Sequence, residues 1–460
     1  MRLLLAVGLF AAPVLAGCPS EQDEPIPFPA AADDATDDDD ATDDDDATDD
    51  DDATDDTDAA PGPTPYPAGV VHSPITESVS ASIDAILAVP GAHQDDVFMK
   101  IGASSTVSSN TLHCFAGPVD LVDHAALQPT LDHFLGGDAA GSTPFDRDTL
   151  AARSGRTASW AMDGAPSPVE QEIAAIAPRF AVVHYGTNDM GMGSTYGSAL
   201  PPFVEHMEVL LDHLEAQGIV PVITGISPRL DSAGANRWVP TYNAVIRGLA
   251  QARRLPFIDL WEATWDLDDH GLAGDGLHLA RHPSGACLFT AEGLEWGYNV
   301  RNLIVLEALD RVLAAATTGA LDPSPAPRVG DGSPEDPFVV DTLPWVHVAD
   351  TSTSPHSNME LYDCDDADES GPELLYRIDL DAPTALRAIV LDRDGIDVDV
   401  HLLSDVDEDA CIARGHHMLG ATVEAGTYWI AVDTWVGAEE FSGEYTLVVL
   451  ECSPGDPACP

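Results

Sequence analysis

The chain has 460 residues, 44% of them hydrophobic, which allows two or three domains with real cores. Its 79 acidic residues against 19 basic give a formal net charge of −60, which argues against nucleic acid or anionic lipid as partners, since both need Lys/Arg patches. Part of the excess sits in one low-complexity segment, so the globular remainder is less extreme.

Residues 1–18 carry Arg2, an apolar run from Leu3 to Leu15, and the ending Leu15-Ala16-Gly17-Cys18. The run is too short to cross a bilayer as a helix and has the layout of an export signal. Its ending resembles the lipobox of bacterial lipoproteins. That resemblance implies cleavage before Cys18, lipidation of Cys18, and a membrane anchor in a bacterial cell envelope, at the outer membrane or cell surface. An ordinary signal peptide with a free cysteine nearby is the alternative.

Residues 19–77 read as a tether. Between positions 31 and 60 Ala-Thr-Asp-Asp-Asp-Asp recurs with a six-residue period, followed by the Pro-rich run Pro61 to Pro67. Adjacent Asp charges repel and no apolar side chain larger than Ala is available for collapse, so the segment is a stretched, solvated spacer. From Pro19 to Ser73 its fully extended limit is ~180 Å, at about 3.3 Å per residue.

Residues 78–322 have globular composition. Val79, Ile83, Ile86 and Leu87 predict a helix over Ser78–Val89, and Val97–Gly102 is a buried strand. A second strand runs from Pro178 to Gly186, a third from Ile219 to Thr224, and a short fourth from Pro256 to Leu260. Helices are expected near Phe203–Gln217, Tyr242–Arg253 and Glu292–Ala316. Strands alternating with helices predict an α/β fold, a parallel sheet covered on both faces, with its site beyond the carboxyl ends of the strands.

Residues 323–335 are rich in Pro, Gly and Asp and read as a linker. Over 336–453 the period changes to two: Leu374, Tyr376, Ile378 and Leu380 alternate with polar neighbours, as do Val398/Val400/Leu402, Tyr428/Ile430/Val432 and Tyr445/Leu447/Val449. This predicts a small antiparallel β-sandwich, with a tail at 454–460. The stretches Ile396–Leu403, Gly426–Asp433 and Gly443–Leu447 resemble the bacterial pre-peptidase C-terminal domain over ~115 residues. The resemblance implies a non-catalytic appendage, with polysaccharide or protein as its possible contact.

Four stretches of the α/β region carry chemistry. Gly102-Ala103-Ser104-Ser105-Thr106 follows the first strand, Ser154-Gly155-Arg156-Thr157 interrupts the next segment, Gly186-Thr187-Asn188-Asp189 ends the second strand, and Asp275-Gly276-Leu277-His278 precedes the last helix. Of sixteen His, only His278 has an Asp three residues before it. A Ser hydroxyl becomes a nucleophile when an imidazole takes its proton, and that imidazole needs an acceptor on its other nitrogen. Ser104, His278 and Asp275 suit those three roles. Backbone N–H groups at Ser104 and Gly155 and the Asn188 amide suit an oxyanion hole.

The order Ser, Gly, Asn, then Asp-x-x-His resembles the SGNH/GDSL esterase and lipase family, over most of residues 78–320. The resemblance implies a flavodoxin-like three-layer fold, no cofactor or metal, and an ester substrate cleaved through an acyl-enzyme at Ser104. One departure is Ala103, where the family's first block reads Gly-Asp-Ser; the loss concerns loop geometry more than mechanism. The rival reading is a catalytically inactive, surface-anchored binding protein whose sandwich recognises polysaccharide or protein.

Other candidates are weaker. His113, His124, His133 and His184 lack paired metal-ligand spacing and read as structural, and Lys100 as a strand-end residue. Asp392, Asp394, Asp397 and Asp399 invite comparison with an EF-hand, but Gly395 stands fourth where that loop needs its sixth residue, and the twelfth is Leu403 rather than Glu. Besides Cys18, six Cys suit an oxidising compartment. Of fifteen formal pairings, Cys114–Cys287, Cys364–Cys411 and Cys452–Cys459 are the expected set.

Overall fold

A computed structural model of the chain describes residues 63–364, 367–393, 395–437 and 439–459. The export signal, Cys18 and the Asp repeat lie outside these residues, as does Asp394.

The first region is built on four parallel strands in spatial order β1 (Gln94–Gly102), β2 (Pro178–His184), β3 (Val220–Thr224) and β4 (Phe257–Ile258). A fifth position exists at the free edge of β1. There the chain between β1 and β2 makes a single parallel bridge, Ala152 to Gly102. Counting that bridge as a strand reduced to one residue gives the order 2-1-3-4-5, the flavodoxin-like order. From Val97 onward every residue of β1 is buried, as are all five of β3, because helices cover both faces.

The helices follow the expected spacing with two shifts. Helix Glu77–Leu87 buries Val79, Ile83 and Ile86, and helix Leu200–Ala216 buries Phe203, Val204, Met207, Leu210, Leu211 and Leu214. The third helix starts nine residues before the expected Tyr242 and runs Ala233–Ala252. Ser232 caps it by accepting the Ala235 N–H at 3.3 Å, and the helix continues through Pro240. The last helix, Gly297–Thr318, begins after a turn at Gly293–Glu295 and ends at Gly319, whose φ of +66° suits a residue without a Cβ.

The second region is a β-sandwich. Its strands are β5 (Phe338–Val340), β6 (Trp345–Asp350), β7 (Leu374–Leu380), β8 (Thr384–Leu391), β9 (Val398–Leu403), β10 (Cys411–Gly415), β11 (Met418–Val423), β12 (Gly426–Thr434) and β13 (Glu444–Glu451). One sheet runs β10-β9-β12-β7-β5 and the other β11-β8-β13-β6. All pairs are antiparallel except β5 with β7, which is parallel. The alternating residues meet between the sheets: Tyr376, Ile378, Val400, Leu402 and Val432 face Ala388, Val390, Leu447 and Val449.

The opposite face of the second sheet is not free. Val346, Ile389, Val448 and Leu450 join the core of the α/β region, each contributing roughly 1.5–3 kcal/mol by leaving water. Helix Ala233–Ala252 lies against this face. A Cβ at Gly248 would stand 3.2 Å from Thr446 Cγ2 and 3.3 Å from Val448 Cγ2. Arg387 crosses the boundary, with its guanidinium 3.7 Å over the Trp238 ring and donating to Thr241 Oγ1 at 2.7 Å and to Asp456 Oδ2 at 2.9 Å. The six Cys join as Cys114–Cys287, Cys364–Cys411 and Cys452–Cys459. Among the described residues no helix is long and apolar enough to cross a membrane.

Candidate active site

Two strand ends and one loop converge above the carboxyl edge of the parallel sheet. Gly102 closes β1 opposite His184 of β2. A Cβ there would stand 2.8 Å from the His184 carbonyl and would run into Thr106 Oγ1, so only glycine permits the turn. The chain then enters a single helical turn, Ser104–Val107, and Ser104 is its first residue. Ala103, in place of the carboxylate of the similar family, packs against the core.

Beyond β2, Gly186 takes φ +120° and a Cβ on it would approach Ile226 Cγ2 at 3.1 Å. Asp189 folds the following turn back on itself. Its buried carboxylate accepts the Gly186 N–H at 2.9 Å and the Ala158 N–H at 2.8 Å, while burial holds its acidity below that of an ordinary Asp. Asn188 is thereby presented upward, and its Nδ2 donates to the Arg156 carbonyl at 2.8 Å. One amide hydrogen of Asn188 is thus engaged and a second is left over.

Asp275 and His278 share one turn. Asp275 Oδ1 accepts the backbone N–H of Leu277 at 3.1 Å and of His278 at 3.0 Å; Oδ2 lies 2.7 Å from His278 Nδ1. The bond to His278, foremost, holds the Asp275 carboxyl down at about 2. An ionised carboxylate only accepts, so the imidazole proton sits on Nδ1 and Nε2 keeps its lone pair. Nε2 is 2.9 Å from Ser104 Oγ, and the hydroxyl donates to it. Gly276, at φ +67°, lets the turn press on Leu230 and Asp231: a Cβ would stand 2.8 Å from the Asp231 nitrogen.

A cavity of about 20 Å³ lies beside these groups, bordered among others by Ser104, Asn188, His278, Ala103 and His184. It is large enough for one water molecule. Gly155 is not on its border; it is joined to the site through its neighbour Arg156, whose carbonyl holds Asn188. So the structure brings Ser104, Asn188, Asp275 and His278 together and leaves Gly155 one hydrogen bond removed.

The polar residues behind the site did not stand out in the sequence. His184, read there as structural, is buried and takes a hydrogen bond from Arg301 Nη2 on its Nδ1 at 3.2 Å; burial, then the Arg301 charge, holds it well below the usual histidine range. Arg301 also donates to the Ser105 carbonyl at 2.9 Å, and Asn302 bonds to Asn110, Leu112 and Ala286. Their only sequence signal is polarity at adjacent positions just before the apolar run Leu303–Leu306 of the last helix. Lys100 is buried on β1, donates to the Phe145 carbonyl at 2.7 Å, and is lowered by burial to about 8.

Elsewhere His133 bonds to the Asp95 carbonyl and His124 stands 3.6 Å from Glu307. In the sandwich ligand atoms of Asp397, Asp399 and His416 lie within 4.8 Å of one another, and Asp399 is also bonded to Arg414 and to His416.

Residues 120–284 match the family described as GDSL-like lipase/acylhydrolase, a span that includes Gly155, Asn188, Asp275 and His278 and begins after Ser104. Among curated proteins none matches the chain. Solved structures similar to it include a GDSL-like lipase from Bacteroides thetaiotaomicron, at 16% identity over 51% of this chain and 97% of that one, with a TM-score of 0.31. An acetyl xylan esterase from Geobacillus stearothermophilus aligns at 14% identity over 47% and 95%, with a TM-score of 0.33. A pre-peptidase C-terminal domain of a collagenase from Bacillus anthracis aligns at 18% identity over 23% and 89%, with a TM-score of 0.17.

Proposed function

We propose that this chain, which carries a GDSL-like lipase/acylhydrolase domain, is a serine esterase that cleaves carboxylic esters of small acyl groups. The observation that carries the reading is the continuous relay Ser104 Oγ, His278 Nε2, His278 Nδ1, Asp275 Oδ2, with contacts of 2.9 and 2.7 Å. Ser104 Oγ attacks the ester carbonyl as His278 Nε2 takes its proton, and Asp275 holds and stabilises the imidazolium. The oxyanion accepts from the Ser104 N–H and the free Asn188 amide hydrogen. Gly155, the third donor expected from the sequence, stands beside Arg156, whose carbonyl holds Asn188. His278 then protonates the leaving alcohol. Water, deprotonated by the same nitrogen, releases the acid from the acyl-enzyme.

The cavity of about 20 Å³ beside Ser104 favours an acetyl-sized group over a long acyl chain. In an aryl ester series the rate then falls as the acyl chain lengthens beyond two or three carbons. A rate that rises with chain length would replace this reading with a lipase. A His278→Ala variant as active as wild type would remove the serine mechanism.

The setting we propose is the bacterial cell envelope, with the chain lipid-anchored at Cys18 and the acidic tether holding the enzyme off the membrane. The Leu15-Ala16-Gly17-Cys18 ending supports this, and three disulfides suit an oxidising compartment. Fractionation of a Cys18→Ser variant tests it: release from the membrane fraction is expected, and unchanged membrane retention would contradict it. Polysaccharide or protein contact through the sandwich would fall on its loops and edge strands, since one sheet faces the α/β core and Met359 and Tyr362 cover Leu375, Leu403 and Ala431 of the other.

A further inference from the structure

Ser104 and His278 are 174 residues apart, and both of their loops are fastened to two consecutive residues of helix Gly297–Thr318. On the nucleophile side, Arg301 Nη1 donates to the Ser105 carbonyl at 2.9 Å and to Thr111 Oγ1 at 3.3 Å, and Thr111 Oγ1 donates to the same carbonyl. Its other arm meets His184 Nδ1 at 3.2 Å, so one guanidinium holds the Ser104 turn to the end of β2. Asn302 bridges the two sides. Its Oδ1 accepts the Leu112 N–H at 2.9 Å, while Nδ2 donates to the Asn110 carbonyl at 2.8 Å and to the Ala286 carbonyl, on the His278 side, at 2.9 Å.

Arg301 is not where stability alone would put it. Arg301 is 2% exposed, and among the described residues no carboxylate stands within ion-pair distance of it; burial pushes its guanidinium down to about 10. A buried cation without an anion is costly, and its hydrogen bonds have to offset that cost. Here they converge on the residue after the nucleophile.

We infer that Arg301 and Asn302 are positioning residues that set the approach of Ser104 Oγ to His278 Nε2, Arg301 by holding the Ser105 carbonyl and Asn302 by tying the two loops to each other. The inference rests on the esterase reading. Displacement of reacting groups by about 1 Å is enough to cost roughly 100-fold in rate.

The test compares wild type, Ser104→Ala, Arg301→Lys, Asn302→Asp and Thr111→Val. Kinetics are read on p-nitrophenyl acetate, together with the rate of labelling by a fluorophosphonate and thermal unfolding. Arg301→Lys keeps the charge without the fork, and Asn302→Asp keeps the shape without the donor. Both are expected to lower kcat and the labelling rate together by about 10–100-fold with KM within about twofold. Thr111→Val, which leaves the buried charge in place, lowers them about 3–10-fold and guards against misfolding of the Arg301 variant. Folded variants that label within twofold of wild type, or that lose activity only in proportion to folded protein, overturn the inference while leaving the esterase intact. A wild type that does not label, like Ser104→Ala, overturns the esterase reading and the inference with it.

Discussion

Asp275 grips His278 at two points, taking its backbone N–H on Oδ1 at 3.0 Å and facing its Nδ1 with Oδ2 at 2.7 Å. Backbone and ring are therefore oriented by a single carboxylate. Asp275→Asn keeps the size but offers an amide that stabilises the wrong imidazole tautomer. Its kcat on an aryl acetate is expected to fall by about 10³–10⁴-fold with little change in KM. Steady-state kinetics on the folded variant check this.

The same contact has a pH signature. Asp275 titrates from 3.8 in the unfolded chain to about 2 when folded, because of His278. A depressed carboxyl contributes stability that is present above the unfolded value and lost as pH falls through the folded one. The melting temperatures of wild type and Asp275→Asn are thus expected to converge as pH falls from 4 to 2. Solvent exposure of the pair keeps the difference small. Melting curves against pH measure it.

Arg387 is expected to be a stability residue of the boundary between sheet and helix. Removing it leaves Asp456 buried without its cation, which costs about 3–5 kcal/mol. Arg387→Met lowers the melting temperature accordingly, and adding Asp456→Asn recovers part of the loss. Calorimetry of the single and double variants separates the two effects.

The Cys114–Cys287 bond closes a loop of 173 residues. The chain-entropy relation assigns such a loop about 5 kcal/mol. Replacing both cysteines by Ser is expected to lower the melting temperature by about 10 °C. Because Asn302 still joins the same two loops, kcat falls far less than stability does.

Much of this architecture was legible in the residues themselves. The apolar runs of β1 to β3 stand out because both faces of a parallel sheet are covered, and Ser104, Asn188, Asp275 and His278 sit at the strand ends and loop where such a sheet places chemistry. Strand β8 was hidden for the converse reason. Thr384–Leu391 does not alternate, since Leu386 and Ala388 face the sandwich core while Ile389 faces the α/β region. The start of helix Ala233–Ala252 was masked by Gly234 and Pro240, which read as breakers when no neighbour is visible. Arg301 and Asn302 escaped notice because their partners lie up to 196 residues away. Gly155 stands out by residue type alone, and its conformation at φ +74° leaves it off the cavity.

The most direct measurement is tandem mass spectrometry of the full-length protein after reaction with a fluorophosphonate. One phosphonyl group on Ser104, absent after Ser104→Ala and slowed at least 100-fold by His278→Ala, is the expected result. An unmodified protein, or an adduct on Ser105 or any other residue in place of Ser104, would contradict the account.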